Sequence, residues 1–113
     1  MTIIKTIPEN LSKKTLYELT KSPKVGRMRD AVGSVLEIAA AIIYEDNDQN
    51  GEPRKVLSIQ TRDGELFATN SRTCITEFED LLDIFGNELS AVEIISSRAR
   101  SGREFITCAY AGE

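Results

Sequence analysis

Arg98, Arg100 and Arg103, interleaved with Ser97, Ser101 and Gly102, form the densest group of chemically capable side chains in this 113-residue sequence. A guanidinium is a flat fork of donors that fits phosphate oxygens and can also stack on a base. Carried on the tip of a hairpin, such a group reads as a clamp for an anionic strand. A solvated tip is often charged as well, so the residues alone admit both roles. Catalysis has less to work with. The sequence has no histidine, which removes the commonest general base and the commonest zinc ligand. It also lacks a phosphate-cradling glycine loop, a nucleophile elbow, metal-ligand spacing and a paired set of carboxylates. The expected chemistry is non-enzymatic binding, with no cofactor, no metal and no small-molecule substrate.

Two other groups imitate sites. Asp46-Asn47-Asp48-Gln49-Asn50-Gly51 places oxygens and a glycine as a calcium loop would, but Leu57 stands where the bidentate glutamate is needed. It reads as a solvated hairpin loop. By strand parity, Glu65, Phe67 and Thr69 share one face, and Arg103, Phe105 and Thr107 another. Phe67 and Phe105 are then either core residues, as large aromatics usually are, or platforms on which bases stack. Tyr44 and Tyr110 join them as candidates, because a phenol tolerates an exposed edge.

Charge is unevenly spread. The net charge is −4, which argues against a general polyanion binder, yet local patches decide such binding. Residues 1–30 hold seven bases against three acids, and residues 31–113 hold seven against fifteen. Lys13, Lys14, Lys21, Lys24, Arg27 and Arg29 either extend a positive track or belong to a soluble arm that docks on the rest of the chain or on a neighbouring copy.

These side chains need elements to hold them. Ile3, Ile4 and Ile7 suggest an extended arm or edge strand stopped by Pro8, and Ser12 caps a short helix over 13–20 that Ser22-Pro23 ends. Residues 24–30 read as a basic loop. The segment 34–45 fits a helical stripe (Val32, Val35, Leu36, Ala39, Ile42, Ile43) and also a strand with Leu36, Ile38, Ala40, Ile42 and Tyr44 on one face. The Asn50-Gly51 turn and the β-branched run 56–61 favour a strand in a hairpin. Asp63-Gly64 turns the chain into a third strand, 66–69. Asn70, Ser71 or Thr73 caps the clearest helix, whose stripe is Ile75, Phe78, Leu81, Leu82 and Phe85, with Glu77, Glu79, Asp80 and Asp83 largely opposite and Gly86 at its end. Strands over 91–97 and 103–110 close the chain.

The order β-β-β-α-β-β is that of the five-stranded OB barrel, a fold often used to hold single-stranded nucleic acid. The predicted protein is mainly β with one main helix: a basic arm with a short helix over 1–30, then an OB-like barrel over 31–113. No apolar run approaches the roughly 20 residues that span a bilayer, the start is too short for a secretory signal, and Cys74 and Cys108 read as reduced, buried thiols. All three suit the cytoplasm.

The run Asp63-Gly64-Glu65-Leu66-Phe67-Ala68-Thr69-Asn70-Ser71, with Phe78 after it and the closing Ser101-Gly102-Arg103-Glu104-Phe105-Ile106-Thr107, resembles small single-stranded-DNA-binding proteins of phages and mobile elements of Gram-positive bacteria. The similarity covers roughly residues 30–110. It implies an OB-like barrel that coats single strands during replication in a bacterial cell, without sequence preference or catalysis. It points most directly to Phe67, Asn70, Arg103 and Phe105, and to Arg100 beside them. Phosphates are then expected at Arg62, Arg72, Arg98, Arg100 and Arg103 and at bases of the arm such as Lys13, Lys14, Lys24 and Arg27. Expected partners are single-stranded DNA, replication proteins and further copies of the chain. Bacterial host proteins of this function end in a long acidic tail that recruits partners. This sequence closes at Tyr110-Ala111-Gly112-Glu113, so recruitment is expected to use another surface. The alternative is a non-catalytic phage accessory protein that binds another protein through the acidic face of its helix.

Overall fold

The computed structural model describes residues 1–112. Seven strands form one curled sheet: β1 (Thr2–Ile7), β2 (Gly26–Arg27), β3 (Val35–Asn47), β4 (Pro53–Thr61), β5 (Leu66–Thr69), β6 (Ala91–Arg98) and β7 (Glu104–Tyr110). Two helices, α1 (Lys13–Thr20) and α2 (Arg72–Phe85), pack against it. The expectation of a five-stranded sheet is thereby corrected to seven strands. The edge strand and the Ser12-capped helix expected in the first thirty residues are β1 and α1, β2 is the strand not expected there, and all three are built into the sheet and its cores.

The curl originates in β3. Its start pairs with β6 through Val35–Glu37, while the rest pairs with β4 on one edge and β1 on the other. The register slips between Ile38 and Ala40, so Ala39 is an extra residue, and such a bulge bends a strand and changes its parity. This corrects the single apolar face expected for 34–45. Leu36 and Ile38 face one core together with Ala41 and Ile43, whereas Ala40, Ile42 and Tyr44 face a second.

α2 covers the first core. Ser71 caps it by accepting a hydrogen bond from the Cys74 N–H at 3.4 Å, and Gly86 ends it with a φ of 57° that glycine adopts without strain. Phe78, Ile75 and Leu82 drop from its apolar stripe onto Ile43, Leu57, Ile59 and Ile94. Cys74 and Cys108 are free and buried in this core. The Cys74 thiol beside it and burial push the Cys108 pKa up, so this thiol is held protonated and unreactive.

α1 covers the opposite face of β3 and β4. Ser12 caps it, and Leu19 inserts among Ala40, Ile42, Tyr44, Val56 and Leu66. Ser58 on the same face of β4 is fully buried, and its hydroxyl has no partner among the described residues. A buried, unpaired hydroxyl costs about 1–3 kcal/mol. Ser58→Ala is therefore expected to leave urea stability unchanged or raise it by about 1 kcal/mol. A loss of stability as large as the same figure would mean that the hydroxyl has a partner.

The stretch 24–30, expected to be a loop, is ordered. β2 runs parallel along the outer edge of β5, with Gly26 opposite Phe67 and Arg27 opposite Ala68. A 3-10 turn, Met28–Ala31, then drives Met28 into the first core, where it is fully buried. This segment fills the seam between β5 and β7, which do not pair with each other among the described residues.

Candidate nucleic-acid interface

The filled seam is the floor of a groove of about 840 Å³. Each wall contributes arginine. Arg27 comes from β2, Arg29 from the 3-10 turn, Arg54 from the start of β4, Arg72 from the first turn of α2 and Arg103 from the approach to β7. Asn70, Thr69 and Thr73 supply neutral polar groups, and Phe105 and Tyr44 supply rings. Two smaller depressions continue it. One shares Arg54, Asn70 and Arg72 and reaches Lys55 and Glu79. The other shares Arg29, Glu104 and Phe105 and reaches Val32 and Ser96. Together they make a track across the β5–α2 junction and the β7 edge.

Ser71 fixes this geometry. Its hydroxyl donates to the Ile106 carbonyl at 3.3 Å while capping α2, and its N–H donates to Thr69 Oγ1 at 3.0 Å. One residue thus ties the end of β5, the start of α2 and the middle of β7 together. The first turn of α2 is thereby set beside the arginines, and a helix N-terminus favours anions.

The electrostatics are lopsided. Arg27 pairs with Asp30 at 3.4 Å and Lys55 with Glu79 at 3.6 Å. Arg98 pairs with Glu104 at 3.1 Å, which occupies the one carboxylate on the main groove wall. Among the described residues, Arg29, Arg54, Arg72 and Arg103 have no ion pair. Four uncompensated guanidinium groups therefore surround one cavity in a chain of net charge −4. A polar cleft with low-dielectric walls concentrates such a field.

No protein-family model, curated protein or solved structure matches this chain.

The sequence-predicted residues do not all meet. Arg27, Tyr44, Asn70, Arg72, Arg103 and Phe105 line the groove together. Phe67 and Arg62 line a separate cavity of about 520 Å³, whose carboxylates are Asp30, Glu37, Asp63 and Glu65. The Thr61 hydroxyl donates to Asp63 and lowers its pKa, so this cavity keeps its negative charge. Phe67 also packs on the first core. Tyr44, expected at an exposed edge, is corrected: it touches the groove but is only 8% exposed and belongs to the core beneath α1, the face to which the Ala39 bulge shifts it. Burial, and then Asp46, raise its pKa. Tyr110 stacks on Phe85 with ring centroids 4.1 Å apart. Arg98 and Arg100 sit at the β6–β7 tip, Lys13 and Lys14 on α1 and Lys24 in the turn before β2, none of them lining the groove.

Sequence reasoning passed over Arg54 and left Arg29 open between a positive track and a soluble arm. The available signal for Arg54 was its position at the start of the strand that leaves the Asn50-Gly51 turn. For Arg29 it was Met28, a large apolar residue inside a basic stretch, which marks an anchored segment.

Proposed function

We propose that this protein binds single-stranded DNA in the arginine groove, with no strong sequence preference. The observation that carries the reading is the set of four guanidinium groups with no ion pair among the described residues, Arg29, Arg54, Arg72 and Arg103, converging on a cavity that also presents the half-buried ring of Phe105. Guanidinium forks take phosphate oxygens, and a ring in the same cavity takes a base face, which a backbone-only anion site would not need. The resemblance of the 63–71 and 101–107 runs to small phage and mobile-element single-strand binders points the same way, and coating of strands during replication is the role it suggests.

An OB-like reading of the fold supports this assignment. The sheet order β5-β4-β3-β6-β7, with α2 between β5 and β6, is compatible with such a barrel, to which β1, α1 and β2 are additions. In OB folds the second and third strands and the loop between the last two bind oligonucleotides. Here those parts are β4, β5 and the Arg98–Arg103 tip, and each contributes to the groove or adjoins it.

The test is anisotropy with labelled oligothymidine against an equal-length duplex at two salt concentrations. Single-strand binding that weakens with salt at a log–log slope of about −0.7 per neutralised phosphate supports the proposal. No single-strand binding at low salt sinks it, and equal affinity for duplex reduces it to charge attraction. Phe105→Ala is expected to cost about 1–3 kcal/mol of single-strand affinity, the value of one stacked base. An unchanged affinity would remove Phe105 from the site.

A further inference from the structure

Two helix faces remain outside the groove, and each has an exposed apolar residue among charges of one sign. On α1, Tyr17 is 55% exposed. Lys13 and Lys21 lie one turn before and after it and Lys14 three residues away, all exposed. Lys13 has no ion pair among the described residues, and Lys14 and Lys21 reach Glu18 and Asp46 only at 3.9 Å. On α2, Ile84 is 73% exposed, the largest exposure among the large apolar side chains. Asp80 lies one turn before it and Glu77 two turns before, both exposed, and Glu88 is exposed in the 3-10 turn that follows the end of the helix. None of these three carboxylates has an ion pair among the described residues.

The two faces match in chemistry and cannot meet within one molecule. α1 packs on the side of the sheet that carries Ala40, Ile42 and Val56, whereas α2 packs on the side that carries Ala41, Ile43 and Leu57. Neighbouring residues of a strand point to opposite faces, so the exposed surfaces of α1 and α2 are directed away from each other.

We propose that the chain associates head to tail, the basic Tyr17 face of α1 in one copy docking on the acidic Ile84 face of α2 in the next. The occupant is a second copy because the chain itself holds both halves of the match: bases around an apolar centre and acids around another. Each contact leaves one face of each type unused at the ends. The interface is therefore heterologous and propagates into a linear array instead of stopping at a two-fold dimer. Charged rims of opposite sign set the register and exclude the like-faced pairings α1–α1 and α2–α2. The array stands apart from the nucleic-acid reading. Its consequence, that successive grooves would coat a strand cooperatively, rests on that reading.

Sedimentation velocity of the full chain without nucleic acid tests the assembly. The wild type is expected to grow in sedimentation coefficient with concentration at low salt and to return to monomer at high salt. Lys13→Glu with Lys14→Glu, and separately Glu77→Lys with Asp80→Lys, should each weaken association by at least about tenfold, and mixing the two variants should restore it, since each then offers what the other lost. Ile84→Ser should weaken association while keeping wild-type affinity for an oligothymidine just long enough for one copy. Variants that associate like the wild type, or a mixture that stays monomeric, would overturn the proposal. A wild type that is monomeric throughout would also overturn it and would leave the acidic face to a protein of another sequence. Failure of oligothymidine binding with association intact would instead strike the proposed function alone.

Discussion

Arg54→Ala, Arg72→Ala and Arg103→Ala combined are expected to lower affinity for oligothymidine by roughly two to three orders of magnitude at low salt, at about 1–1.5 kcal/mol for each lost charged contact. The log–log salt slope should flatten by about 2, from about 0.7 per phosphate released. All three residues are exposed and have no ion pair among the described residues, so their loss should spare the fold. A thermal midpoint close to that of the wild type would establish this. Arg62→Ala is the matched control. It removes the same charge from the acid-lined cavity instead of the arginine groove, and its salt slope should equal that of the wild type. If Arg62→Ala weakened binding as much as the triple substitution, net charge and not the groove would be responsible. Arg100→Ala alone should have a small effect, because Arg100 adjoins the groove without lining it.

Phe78→Ala is expected to cost about 3–5 kcal/mol in urea denaturation, the usual range for removing a fully buried ring. Stabilities of about 5–15 kcal/mol are typical of single domains, so this one change would bring the protein close to unfolding. Phe78 sits at the middle of α2 and is fully buried among side chains from β3, β4, β6 and the Met28 turn. Neighbours from separate strands cannot all collapse into the space it leaves. The cavity cost should therefore lie toward the upper end of that range, and a loss below about 2 kcal/mol would show that the core relaxes around the gap.

Much of the local structure was legible. The 71–86 helix with its Ser71 cap and Gly86 stop, the Asp63-Gly64 turn and the final hairpin follow from short-range chemistry. Each is decided by residues within a few positions of one another. The segment 34–45 resisted because β3 is apolar on both faces from Ala40 to Tyr44. α2 covers one face and α1 the other, so neither a period of two nor one of 3.6 stands out, and a buried strand looks like a buried helix. The flanking turn decided the assignment, but no local signal marked Ala39 as the bulge.

The candidate site divided along the same line. Asn70, Arg103 and Phe105 were picked out by the resemblance of the 63–71 and 101–107 runs, and Arg72 as a base expected to meet phosphate beside them. Arg29 and Arg54 were not, because their importance comes from elements that meet only after folding. Phe67 and Phe105 have similar neighbours in sequence, yet Phe67 lies by four carboxylates and Phe105 among arginines. Local sequence thus set the type and limits of most elements, the absence of histidine and the segregation of charge between the first thirty residues and the rest. Tertiary structure alone decided that residues 26–31 fill the β5–β7 seam, that Tyr44 turns inward, and that arginines from five separate segments face one groove. The physical reason is range. Caps, turns and periodicity act over a few residues, whereas burial and the summed field of distant charges depend on which surfaces the folded chain brings together.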